Sequence, residues 1–320
     1  MTVRSWNRPL LVFTGAMILL VLVSLAGLVL DPRTLGGQPI WAKPLKFSVS
    51  LALYGPTLAW MVSLLHGERA RRIASGAAVV VAVAGVLEMV AIVGQVTRGV
   101  GSHFNTASAF DAAVYAVMGT SISVLWVANL VIAVLLLRDR ALSGSLGWAV
   151  RLGLAVSLLG MAVAFLMTSP TGAQIEAAAA TGALPVTGAH AVGVPDGGPG
   201  LALLGWSTTG GDLRIGHFVG LHALQALPLL ALGLGFLAAR VVVLRADTVR
   251  TRLVIVAAGA WTGLTVLLVW QALRAQPLLA PDALTLGAAA ALVVGTLVAV
   301  GLVLRSAPRA VVEEPVAVPA

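Results

Sequence analysis

Residues 73–96 read IASGAAVVVAVAGVLEMVAIVGQV, a run of 24 residues with one charged side chain, Glu88. As an α-helix this run is about 36 Å long, more than the roughly 30 Å of a bilayer's hydrocarbon core. It reads as a transmembrane helix, and the rest of the chain repeats the pattern. Spans are predicted at Pro9–Leu30, Lys43–Leu65, Ile73–Val96, Phe110–Leu137, Leu146–Met167, Ile215–Ala239, Thr251–Leu273 and Leu284–Leu304. The expected fold is therefore all-α: a polytopic membrane bundle of about eight helices over residues 1–304. Residues 168–214 form an extracytoplasmic loop or lid, and residues 305–320 a disordered cytoplasmic tail.

Composition agrees. Of 320 residues, 59% are hydrophobic and 10% charged, against about 25% charged in a soluble domain. That excludes a soluble enzyme and a disordered chain. The absence of Cys excludes a disulfide scaffold and any thiolate metal site. The net charge of +8 reflects topology more than a nucleic-acid partner. One set of loops and ends holds Arg4, Arg8, Arg69, Arg71, Arg72, Arg138, Arg140, Arg240, Arg245, Arg250, Arg252, Arg305 and Arg309. The other holds Arg33, Arg98, Arg214 and Arg274, with Lys43 and Lys46 at a span start. By the positive-inside rule both termini are cytoplasmic, in what reads as a bacterial inner membrane. Ser24-Leu-Ala26 is a weak cleavage site, and the first span is expected to stay as an anchor.

The informative polar residues gather at the extracytoplasmic side. On the second span Lys43, Lys46, Ser50 and Tyr54 form one stripe, about 80° wide at 100° per residue. Lys43 reads as snorkelling to the interface, while Lys46 lies a turn deeper. Gly55-Pro56 predicts a kink. A carboxylate as deep as Glu88 costs about 3 kcal/mol to insert and must be neutral, paired or hydrated. Gln95 and Arg98 continue its side of the helix. Ser108-Ala-Phe-Asp111 has the form of a capping box. Glu88, Lys46 and Arg98 are the candidate catalytic residues.

The long loop divides in two. Residues 168–188, rich in Ala and Thr, look expendable. The part from His190 through Asp196 and Trp206 to Asp212 and Arg214 is dense in Gly and Pro turn formers, and reads as a lid over the bundle mouth. The sixth span opens with Gly216, His217, Gly220, His222 and Gln225. Gly216 and Gly220 form GxxxG, a contact for a neighbouring helix or an oligomer. His217 and His222, five apart, lie about 140° apart around the helix, which is poor geometry for one metal ion. Four of the five His nevertheless fall on the outer half. His103, His190, His217 and His222, with Gln95, Asp196 and Asp212, are therefore candidate cofactor-binding residues. His103, His217 and His222 are the candidate ligands of a metal ion or haem.

The strings Trp41-Ala-Lys43-Pro-Leu-Lys46-Phe47, Gln95-Val-Thr-Arg98-Gly, Ser102-His103-Phe-Asn105 and His190 through Gln225 resemble an uncharacterised group of bacterial multi-pass inner-membrane proteins. That resemblance implies fold and topology alone. Haem A synthases are similar in span number and in topology, but their paired helical His are not matched by a His-free eighth span and a loop His103. The alkaline-ceramidase and adiponectin-receptor superfamily holds zinc with two His four apart on its last helix, a spacing absent here. Three functions remain: a metal- or haem-dependent membrane enzyme or redox protein, a proton-coupled small-molecule transporter, and a non-catalytic sensor or assembly factor. The expected partners are the bilayer and an unidentified small molecule, with no nucleic acid.

Overall fold

A computed structural model describes residues 6–306. The tail beyond Ser306, with Arg309, and Arg4 at the other end lie outside the described residues. Within them the long helices are α1 (Arg8–Leu30), α2 (Ala42–Ser63), α3 (Glu68–Arg98), α4 (Ala109–Arg138), α5 (Gly144–Met167), α7 (Leu213–Leu237), α8 (Asp247–Leu273) and α9 (Ala283–Arg305). A short α6 (Gly172–Thr181) sits in the long loop. The only extended pairings among the described residues are short: β1 (Thr34–Leu35) with β2 (Gln38–Pro39), β3 (Ala191–Val192) with β4 (Gly211–Asp212), and two isolated bridges.

Seven of the eight long helices are long and apolar enough to cross a membrane. The exception is α2, whose apolarity is diluted by Lys43, Lys46, Ser48 and Ser50. It still runs from end to end of the bundle. Lys43, in its first turn, touches His103 in the loop after α3. At the other end the His66 amide donates to Asp139, in the turn before α5, at 2.6 Å. The chain is thus an all-α polytopic membrane bundle. α2 passes through Gly55-Pro56 without a break in the helix, and Gly55 lies against Thr14 of α1.

Small residues set the close helix approaches. Gly27 on α1 lies under the Trp41 indole, and Gly85 on α3 accepts the Phe13 ring. These contacts, with Leu10, Phe13 and Met17 buried, make α1 an integral member of the core. The GxxxG glycines are used inside the chain. Gly220 meets Gly160 of α5, and Gly216 meets Val269 and Thr265 of α8. Both are therefore covered by the protein's own helices. α9 packs chiefly on α8 and has one buried residue, Thr285.

The capping expectation holds at α4, where Ser108 Oγ accepts the Asp111 amide and donates to its carboxylate. Residues 183–188 are not expendable. Thr106 N–H donates to Pro185 O and Thr187 N–H to Phe104 O, and Gln174 on α6 bonds Gly188 in both directions. This segment clamps the backbone on either side of Asn105, two residues from His103. Phe104 itself has φ of 63°, a left-handed conformation that only a held backbone keeps.

A groove of 1210 Å³ runs along α3, α4 and α5 from Arg72 to Thr106. Its lining is mostly small and apolar, as suits a surface turned to lipid, and no candidate site residue lines it.

Candidate functional site

The polar residues converge at the arginine-poor end, where α2, the α3–α4 loop, the lid and the start of α7 meet. Glu88 is 2% exposed, deep on α3. Its Oε1 lies 3.3 Å from His103 Nε2. That is contact distance but off the line of a hydrogen bond, so neither carboxylate oxygen accepts one. The other ring nitrogen of His103, Nδ1, is 2.8 Å from Lys43 Nζ and 3.2 Å from Ser102 Oγ. An ammonium can only donate, so Nδ1 accepts and the ring proton sits on Nε2, facing Glu88. Burial, and after it the charges of Lys43, His190 and His217, hold the His103 imidazole well below its ordinary value. It is neutral at pH 7. The result is a linear array, Lys43–His103–Glu88, drawn from two helices and one loop.

Phe47, one turn along α2 from Lys43, packs edge-on to the His103 ring at 5.7 Å. On the far side Phe104 lies 4.7 Å from the His190 ring. His190 Nδ1 meets Asp196 Oδ2 at 2.7 Å, and the amides of His190 and Ala191 donate to the same carboxylate. Burial lowers His190 more than its bond to Asp196 raises it. Burial pushes Asp196 up, but the imidazole and the two amides outweigh it and hold the carboxyl at about 2. Such a group stabilises the fold above its ordinary value, about pH 4, and loses that contribution as the pH falls towards 2. Hydrogen exchange at His190 and Ala191 is therefore expected to quicken between about pH 4 and pH 2. Asp196→Ala should show the fast exchange already at pH 7. Unchanged protection in that variant would mean that Asp196 is not the tether.

The rest of the lid is held by cations. Lys46 Nζ donates to Leu204 O at 2.8 Å. Arg214 reaches Gly205 O at 2.6 Å and grips Asp212 through Nε and Nη2. Asp212, which caps α7, also accepts the Ser207 amide.

Other candidates stand apart from this array. Arg98 pairs with Asp111 at 2.6 Å, lies over the Phe110 ring and bonds Gln95. Gln95 in turn donates to Asp111 at 2.9 Å. Together they brace α3 against α4, away from the Glu88 carboxylate. His217 Nδ1 donates to Gly160 O at 2.7 Å, and His222 faces Gln225 at 3.4 Å. The structure also puts Lys43 rather than Lys46 against His103. Ser102, buried at 3% exposure, and the carbonyls of Leu204 and Gly205 had no signal in the sequence. A buried Tyr54–Asn129 bond of 2.5 Å closes the bundle further along α2.

A metal centre needs several donors aimed at one point. Among the described residues no three His, Asp or Glu side chains come together in that way. His103 has both ring nitrogens engaged, Nδ1 by Lys43 and Nε2 beside Glu88, while His217 and His222, bonded through Nδ1 to Gly160 and Gln225, leave α7 about 140° apart. The expected ligand set of His103, His217 and His222 does not fit a metal ion. No protein-family model, curated protein or solved structure matches the chain.

Proposed function

We propose that this is a proton-handling membrane protein, in which Glu88 takes up and releases a proton through His103 while a small molecule binds from the arginine-poor side. The best account is a proton-coupled carrier of the bacterial cytoplasmic membrane. One observation carries it: a carboxylate buried in the bundle, without a hydrogen bond, 3.3 Å from an imidazole that an ammonium polarises. A carboxylate buried from bulk solvent and without a protein hydrogen bond is balanced by a proton or by a neighbouring cation. Both are within reach here, so a small change in surroundings moves the proton. His103, with Lys43 at one ring nitrogen and Glu88 at the other, is placed to pass it.

Infrared difference spectra of the protein in lipid, taken between about pH 5 and pH 9, test this reading. A carboxylic-acid band that grows on acidification and vanishes in Glu88→Gln is expected. Identical spectra for wild type and Glu88→Gln would overturn it.

A second reading rests on Ser102. Its hydroxyl, the His103 ring and Glu88 stand in nucleophile–base–acid order, as in a membrane hydrolase. Lys43, nearer to the same nitrogen, competes with Ser102 for it. Labelling of Ser102 by a fluorophosphonate would favour the enzyme over the carrier.

A further inference from the structure

Three cations and three acids gather under the lid. Lys43 lies within electrostatic reach of Glu88, Arg214, Lys46 and Asp196, and Lys46 within reach of Arg214 and Asp212. Their pairing is uneven. Asp212 is gripped by Arg214 through two bonds, and Asp196 is consumed by His190 and two amides. That leaves Lys43 and Lys46 with only neutral hydrogen-bond acceptors: an imidazole nitrogen and the Leu204 carbonyl. Glu88, unbonded, is the single remaining negative charge. Two ammonium groups thus share one carboxylate, and protonating that carboxylate leaves them with none.

The lid occupies the positions where an anion would relieve this imbalance. Lys46 and Arg214 each hold a lid carbonyl, Leu204 O and Gly205 O, at 2.8 and 2.6 Å. The turn that presents these oxygens is strained at Leu203, whose φ is 63°. Phe47 lies beside Lys43, and Trp206, next to Gly205 in the lid, packs on Phe218 of α7.

From this arrangement we infer that the site takes a small organic carboxylate with an apolar body. The carboxylate displaces the Leu204 and Gly205 carbonyls from Lys46 and Arg214 as Glu88 takes up one proton. The charge balance is then the same before and after binding. The inference rests on the proton-handling reading of Glu88 and adds the class of substrate. The charged and titratable groups around Glu88 are Lys43 from α2 and His103 from the α3–α4 loop. Beyond them lie His190 and Asp196 in the lid and Arg214 and His217 on α7. Asp111 on α4 is bound to Arg98, and α1 brings no titratable side chain beyond Arg8 at its far end.

Calorimetric titration of the purified full-length protein with sodium benzoate tests it, run in buffers of different ionisation heat. Wild type is expected to bind saturably and to take up about one proton per benzoate. Lys46→Gln should weaken binding about tenfold, as loss of one charge-assisted bond does, and Lys46→Arg should restore it. Glu88→Gln, a mimic of the protonated state, should bind benzoate without proton uptake. Melting curves confirm that each variant is folded. Saturable binding without proton uptake in wild type overturns the inference, as does affinity indifferent to Lys46→Gln. Absence of binding overturns it too, and leaves the infrared band of Glu88 to decide the proton-handling reading separately.

Discussion

Gly160→Val is expected to lower the melting midpoint of the protein in detergent by about 10 °C, or to leave no folded protein to melt. The reason lies in the seam between α5 and α7. A Cβ built on Gly160 meets the Leu221 amide nitrogen and comes within 2.7 Å of Gly220 Cα. These are backbone atoms of a facing helix, so no rotamer change relieves the clash and the helices must part. Overpacking a core usually costs about 1–3 kcal/mol, and a backbone-on-backbone collision belongs at the upper end. The separation also stretches the His217 bond to Gly160 O, which holds the start of α7 in place. Gly233→Ala is the control: a Cβ there touches nothing within 4 Å, and α7 should gain about 0.5–1 kcal/mol from the lost backbone entropy. Equal melting of the two variants would show that the α5–α7 seam does not hold the bundle together.

That seam also marks where sequence reading stops. The spans were legible because each is an apolar run of bilayer length bounded by Arg, Gly or Pro. Their observed ends differ by a few residues, as for α8, which starts at Asp247 rather than at Thr251. Half of the helix contact was legible as well: Gly216-x-x-x-Gly220 announces a close approach. Its partner was not, because Gly160 is one of four glycines on α5 with none of them four residues from it, and the pairing of two glycines on separate helices exists only in the folded chain. Glu88 could be singled out for a simple reason: one charge in an apolar run of 24 has no bland explanation. Lys43 could not, because a lysine in the first turn of a span looks the same whether it snorkels or holds a histidine. What decides is the loop carrying His103, and that loop is placed by hydrogen bonds to residues 183–188, a stretch whose composition suggested no role. The lid carbonyls are a harder case. Backbone oxygens carry no side-chain identity, so no residue type points to Leu204 or Gly205. The histidines are a related case: counting His on one side of the membrane does not show whether their ring nitrogens are aimed at one point, and among the described residues no three His, Asp or Glu side chains gather that way.

Glu88→Met and Lys43→Met should each destabilise the protein, whereas the double variant should recover most of the loss. The two side chains do not touch; they are joined through the His103 ring, with contacts of 2.8 and 3.3 Å. Removing Glu88 leaves an ammonium in the bundle with no anion, and removing Lys43 leaves a buried carboxylate beside an unpolarised imidazole. Each single change therefore strands a charge, which typically costs about 3 kcal/mol or more. Replacing both removes the two desolvation penalties together, and apolar replacements for a buried pair are often neutral or stabilising by about 1–4 kcal/mol. A double-mutant cycle read from chemical or thermal unfolding should thus show coupling of about 2 kcal/mol, well beyond the roughly 0.5 kcal/mol of independent sites. Proton uptake should be lost in all three variants, including the stable double one. That combination separates a working site from a structural brace. With a brace alone function would follow stability, and the double variant would recover both. Purely additive single effects would show that Lys43, His103 and Glu88 do not act as one unit, and the relay would have to be abandoned.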